Sequence, residues 1–193
     1  MKLFGPEHER LLSSLYGDGA SEFDGLLRSF SAVLEAQVVP LSLGLDQGKG
    51  DIGQTRRILF EQGLCKLSHQ EICGGMGLPF GVYALAMELA GAADASTAMS
   101  IGIHNTVADA VAQFGSADQK RKLLPSLLSG EKLAAFALTE PSSGSDARSM
   151  RTRATKDGQH FVLDGSKMFI TNAGGGSSTW ALARAGLARR YAR

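Results

Sequence analysis

Hydrophobic and polar positions fall into two patterns that meet near Lys132. From Glu22 onward, Phe23, Leu26, Leu27, Phe30, Val33 and Leu34 recur at spacings of three and four, the stripe of one helix face. Pro40, which has no amide proton and clashes with the preceding turn, is expected to end that helix. Residues 44–53 hold four glycines and predict a mobile loop. Thr55 is placed to cap a helix over 56–62 that Gly63 stops. Gly74, Gly75 and Gly77 mark another loop. Residues 80–99 are alanine-rich and apolar on most sides, which predicts a central helix with several neighbours. A further helix is expected over 101–114, ending at Gly115. Ser116 and Gln119 form a capping box for the next one, and Pro125 predicts a fresh first turn that closes at Gly130. Connections this short imply antiparallel helices.

After Lys132 the period changes. "LAAFAL" is a short apolar run, and the stretch that follows alternates, broken at Asp157-Gly158 and again at Asp164-Gly165. Asp-Gly between β-rich runs is a strong hairpin signal, so an antiparallel meander is expected from strands at 152–156, 160–163 and 168–171. The fold class is therefore α+β: an N-terminal all-α helical bundle over residues 1–132, then an incomplete antiparallel β domain over 133–193. So few strands leave an unpaired edge and an uncovered face.

Composition narrows the function classes. The 193 residues are 44% hydrophobic, ample for a core, and carry a net charge of +1. No global field draws the molecule to nucleic acid or an anionic membrane, and the 7% aromatic content is low for a base-stacking surface. Lys2, Glu7, Glu9 and Arg10 interrupt the N-terminal segment, so no signal or transit peptide is read there and a cytoplasmic location is expected. The most apolar stretch, 83–93, contains Glu88 and is shorter than the roughly 20 residues a membrane crossing requires, so no span is expected. Cys65 and Cys73 match no zinc or redox spacing, which favours free thiols and no metal site.

The chemistry-bearing stretch is "LTEPSSGSD", 138–146. Residues leaving a strand, turned by Pro141 and relieved of bulk at Gly144, aim backbone N–H groups and the hydroxyls of Ser142, Ser143 and Ser145 toward one point, an arrangement suited to phosphate. Thr139 is placed to bond a polar ring edge. The competing reading is a serine-rich surface turn with Asp146 capping the next segment. Thr171, in "SKMFITN", follows thirty-two residues later on a strand expected to return to the same sheet. Two threonines and Phe169 would then surround one flat ligand.

"ALTEPSSGSD", "DGSKMFITNA", "FGSADQKRKLLPSLLSGEK" and "EICGGMGLPF" occur in an order that resembles the acyl-CoA dehydrogenase family, over about residues 22–176 and only the N-terminal half of the family's usual length. The resemblance implies a helical domain, then a β domain, with FAD and an acyl-CoA or acyl-carrier thioester meeting between them. It also implies an electron acceptor such as an electron-transfer flavoprotein, and leaves a homo-oligomer open. By position, Phe136, Leu138 and Thr139 would contact the flavin ring. Gly144 and Ser145 would meet the FAD pyrophosphate, with Ser145 also near the thioester, while Phe169, Ile170 and Thr171 would cover the ring's other side. The acyl tail would lie against Gly102, Ile103 and Thr106.

The family's usual base comes from a C-terminal bundle and matches no residue here, so a truncated chain inactive by itself is expected. Glu140 reads as a local carboxylate bonding backbone or a basic neighbour. His104 reads as a cap or a buried hydrogen bond at the front of a helix, His69 and Glu71 as loop or surface groups, and "DQKRK" as a solvated helix face. Arg184, Arg189, Arg190 and Arg193 read as a solvated tail. Rival readings are a non-catalytic scaffold retaining the fold, an acyl-carrier-protein dehydrogenase and an acyl-CoA oxidase.

Overall fold

The computed structural model describes residues 2–174 together with the backbone of 178–181 and 184–185. Arg189, Arg190 and Arg193 lie outside the described residues. The chain divides into two compact units, Met1–Lys132 and Leu133–Arg193.

The first unit is helical. Helix α1 (Pro6–Tyr16) turns through Gly17–Gly19 into α2 (Ala20–Val33), and the two pack together. Arg28 of α2 reaches back to Glu9 of α1, and its guanidinium stacks 4.9 Å from the Phe4 ring centroid. Where no span was expected, the helical run Pro6–Asp46 contains an 18-residue window of mean hydropathy 1.2 and is by length and composition apolar enough to cross a membrane; in this unit its Leu27, Phe30, Leu34 and Val38 are buried in the helical core. The helix of Phe23 and Leu34 does not stop at Pro40. Leu34–Val38 widens into a π-helical turn, in which Val39 N–H donates to Leu34 C=O five residues back, and α3 (Val39–Asp46) continues with Pro40 in its first turn. There the missing N–H of proline costs least.

Helix α4 (Ile52–Glu61) is capped by Asp51, whose carboxylate accepts from Gly53 N–H at 2.7 Å. Thr55 is not the cap. It is buried inside α4, where its hydroxyl donates to Ile52 C=O and shares a 2.7 Å hydrogen bond with Thr97. The apolar run divides at Asp94 rather than near Met99, giving α5 (Phe80–Ala93) and α6 (Ala95–Phe114). Asp94 is 7% exposed and caps α6 by accepting from Thr97 N–H at 2.7 Å. The capping box at Ser116 forms as expected and opens α7 (Ala117–Leu128), but Pro125 lies inside that helix. The carbonyl of exposed Arg121 consequently lacks its helical donor, and Leu124, Leu127 and Leu128 hold the helix by burial. Gly130 is required: its φ is +77°, and a Cβ there would lie 2.4 Å from the Phe60 ring. Leu12, Leu27, Leu34, Leu59, Leu89 and Ile101 anchor the core of this unit.

The second unit begins with β1 (Ala134–Ala137) and continues through β2 (Arg153–Asp157) and β3 (His160–Asp164) to β4 (Ser178–Ala181) and β5 (Arg184–Ala185). β2 and β3 form the expected antiparallel hairpin about Gly158, φ +56°, with Asp157 opposite His160. Pairing elsewhere is parallel, β1 with β4 and β2 with β5. Residues 168–171 are not a strand, so Asp164-Gly165 is not a second hairpin turn. Gly165 instead permits close approach, since a Cβ there would lie 2.3 Å from Thr152 Oγ1. Phe161, Val162 and Leu163 of β3 are all exposed, on both faces of the hairpin.

Candidate functional site

Residues 138–146 leave the end of β1 and reverse at once. Glu140 N–H donates to Ser143 C=O at 2.8 Å and Ser143 N–H returns to Glu140 C=O at 3.2 Å, with Pro141 and Ser142 at the tip. Proline's fixed φ suits the first corner of such a turn. Ser143 is buried, and its hydroxyl donates to Asp146 C=O, so the expected convergence of three hydroxyls does not form; Ser142 and Ser145 are exposed. Asp146 accepts from the Ser149 hydroxyl and opens the 3₁₀ turn Ala147–Ser149.

Gly144 is the informative glycine. Its φ lies outside the left-handed region, and a Cβ placed on it would meet nothing within 4 Å, so no contact within the chain demands glycine there. Among the described residues, the N–H groups of Gly144 and Ser145 donate to no acceptor. Bare backbone with unused N–H donors and open space above it fits close approach by an anionic group such as a pyrophosphate.

The second segment reaches the first by other means than a strand. Met168 N–H donates to Thr139 C=O at 2.9 Å, and Lys167 Nζ donates to Leu138 C=O at 2.8 Å and to Glu140 Oε1 at 2.9 Å. Beyond them Phe169 and Asn172 adopt φ of +57° and +67°, which ends any extended run. Asn172 Nδ2 donates to Ala134 C=O, and Ala173 N–H to Ile170 C=O, closing a turn. The structure thus brings Leu138 and Thr139 beside residues 167–168. Phe136, Leu138, Thr139, Ile170 and Thr171 are half-buried, whereas Phe169 is 84% exposed.

Glu140 is at the centre of this arrangement and is 4% exposed. Its carboxylate accepts from Arg151 N–H at 2.6 Å and Thr152 N–H at 2.9 Å as well as from Lys167. The Thr152 hydroxyl, which lies close but outside good hydrogen-bond geometry, the Arg151 N–H and the Lys167 ammonium hold the carboxyl down at about 2. Such a group is ionised, occupied and a poor proton acceptor. Glu140 is the local carboxylate its motif implies, and its basic partner is Lys167, which the sequence motifs do not single out. The two residues lie 27 apart, and only the fold brings them together.

Gly102, Ile103 and Thr106 belong to the helical unit, on α6. With Met99 they lie along its less buried side, and the Thr106 hydroxyl donates to Gly102 C=O at 3.0 Å. His104 is mid-helix, not at a helix front. It is fully buried, bonds Leu127 C=O through Nε2 at 2.9 Å, and has its pKa lowered, first by burial. His69 is not a surface group: it is 4% exposed, with Nε2 3.1 Å from Asp109 Oδ1 at an angle too poor for a hydrogen bond. Cys65 and Cys73 are free thiols, and among the described residues no His, Cys, Asp and Glu cluster is arranged to hold a metal.

Comparison with known proteins converges on one family. Residues 21–131 match the profile described as "Acyl-CoA dehydrogenase, N-terminal domain", and residues 135–192 match "Acyl-CoA dehydrogenase, middle domain". The chain is 49% identical over 109 residues to mitochondrial isobutyryl-CoA dehydrogenase of Dictyostelium discoideum, covering 56% of this chain and 26% of that protein. Glutaryl-CoA dehydrogenase of Mycobacterium smegmatis superposes with a TM-score of 0.79 at 29% identity, over 91% of this chain and 46% of that one. An acyl-CoA dehydrogenase of Bacillus anthracis, solved in complex with FAD, superposes with a TM-score of 0.77 at 31% identity, over 96% of this chain and 32% of that one. The chain therefore spans from about a quarter to just under half the length of these proteins.

Proposed function

This chain belongs to the acyl-CoA dehydrogenase family, and on that premise we propose that it serves the FAD-dependent α,β-dehydrogenation of an acyl thioester. The observation that carries the reading is the pairing of a half-buried Leu138-Thr139 edge and its neighbouring 167–171 segment with an open Gly144-Ser145 backbone. Phe136, Leu138 and Thr139 would line one side of the flavin ring, with Phe169, Ile170 and Thr171 on the other, while the Gly144 and Ser145 N–H groups take the pyrophosphate. When bound, FAD supplies hydride acceptance from the substrate's β-carbon, and its electrons leave to an acceptor such as an electron-transfer flavoprotein.

The protein's own contribution is orientation. Thr139 supplies a hydroxyl without a partner among the described residues, suited to a polar ring edge. Ser145 keeps its hydroxyl exposed for the thioester or the pyrophosphate. On the helical unit, Gly102, Ile103 and Thr106 of α6 would be the residues offered to the acyl tail. Glu140 is poorly suited to take the α-proton, because both of its carboxylate oxygens already accept, from two backbone N–H groups and Lys167, and hold it ionised.

The test is flavin retention by the purified chain after addition of FAD and desalting, read by absorbance, followed by anaerobic addition of acyl-CoA. The reading expects bound flavin that Thr139→Ala with Ser145→Ala releases. Equal flavin affinity in chain and double variant would remove the cofactor assignment.

A further inference from the structure

We propose that Lys167 is a positioning residue that presents Phe169 to the flavin by clamping the segment before it onto the Leu138–Glu140 edge; its link to flavin rests on the function proposed above. The Lys167 side chain is 12% exposed and that of Glu140 only 3%. A cation this far from water needs a counter-charge and acceptors, and both of its partners, Leu138 C=O and the Glu140 carboxylate, come from one short edge. Glu140 in turn accepts from Arg151 and Thr152 N–H, so one carboxylate joins three stretches of chain distant in sequence.

An independent observation lies two residues on. Phe169 has φ +57°, a conformation aromatic residues rarely adopt, and its side chain is 84% exposed. Packing of its own ring does not hold it there. Such a backbone persists where its flanks over-determine it. On one flank stand the Lys167 clamp and the Met168 N–H bond to Thr139 C=O; on the other, Asn172 Nδ2 bonds Ala134 C=O. Thr139 and Phe169, assigned to opposite sides of the flavin ring, are thereby held at a fixed separation before any ligand arrives, which lowers the cost of binding.

The experiment uses the full chain and needs no ligand for its first arm. Amide hydrogen exchange over residues 167–172 is compared in the unaltered protein, Lys167→Met, Glu140→Gln and Lys167→Arg, with the far-ultraviolet helical signal as the folding control. Lys167→Met and Glu140→Gln should each speed exchange at Met168, whose N–H is held by Thr139 C=O, by roughly ten- to a hundredfold, the worth of a charge-assisted hydrogen bond, while Lys167→Arg recovers part of the protection. Unchanged exchange in Lys167→Met overturns the proposal. Loss of protection spread equally across β1, β2 and β3, without recovery in Lys167→Arg, also overturns it, because it assigns Lys167 a fold-wide role. The second arm measures FAD affinity and the fluorescence of bound flavin. An unaltered chain that holds no FAD refutes the proposed function, while the exchange arm still decides the clamp. FAD held with the same affinity and fluorescence in Lys167→Met refutes the positioning role.

Discussion

Replacing Asp94 tests how the long apolar run is divided. The side chain accepts from Thr97 N–H at 2.7 Å, from Ser96 Oγ at 2.7 Å and from Ser42 Oγ of α3 at 3.0 Å. Loss of an N-cap costs about 1 kcal/mol, and loss of a hydrogen bond to a charged group about 1.5 kcal/mol more, so Asp94→Ala should lower stability by roughly 2–3 kcal/mol. For a chain of this size the thermal midpoint should fall by about 5–10 °C. Asn is nearly as good a cap, so Asp94→Asn should lose less than about 1 kcal/mol. Thermal unfolding followed by circular dichroism at 222 nm reads both. Burial opposes ionisation of Asp94, but the hydroxyls of Thr97 and Ser96, the Thr97 N–H and the Ser42 hydroxyl outweigh it, and the folded pKa lies below the ordinary carboxylate value. The stability it contributes is therefore present above the unfolded pKa and is lost as pH falls through the folded one, so Asp94→Ala should flatten the acid limb of the stability profile. Equal destabilisation by Ala and Asn, or a loss below about 0.5 kcal/mol for Ala, would refute the capping account.

Other expectations separate folding from function. Gly144→Ala should leave the unfolding midpoint within about 0.5 kcal/mol of the unaltered chain, since its Cβ meets nothing, yet weaken FAD retention roughly tenfold; a large stability loss with unchanged flavin binding would contradict the anion-cradle reading. His104 has a lowered pKa, so its burial favours the folded state fully above about pH 6.5 and costs stability as pH falls toward the folded value; His104→Gln should reduce the acid slope there, as urea titrations at several pH values would show. Cys65 is 1% exposed and burial pushes its thiol pKa up, whereas Cys73 is half-buried, so limited alkylation at neutral pH should label Cys73 and spare Cys65 in a peptide mass map.

The sequence by itself determined what depends on near neighbours. The change from helical to alternating periodicity at Lys132, the Ser116–Gln119 capping box and the turn at Asp157-Gly158 all arise from residues within a few positions of one another. So does the ordered run of motifs that resembles the family. The tertiary structure decided what depends on partners far along the chain. Asp157-Gly158 and Asp164-Gly165 are the same dipeptide, yet only the first is a hairpin turn, because Thr152 presses against Gly165 and the chain bends so that Lys167 meets Glu140. Phe161, Val162 and Leu163 are three apolar residues in a row, but whether a strand face is covered is settled by what packs on it, and all three are exposed, in line with the uncovered face expected of so few strands. Local chemistry alone makes Pro40 and Pro125 breaks, because proline loses a helical hydrogen bond. A π-helical turn before Pro40 and buried leucines around Pro125 outweighed that local cost. Glu140 is the clearest case: its motif marked the place, but only the fold supplied the two N–H groups and the ammonium that make it a strut in place of a base.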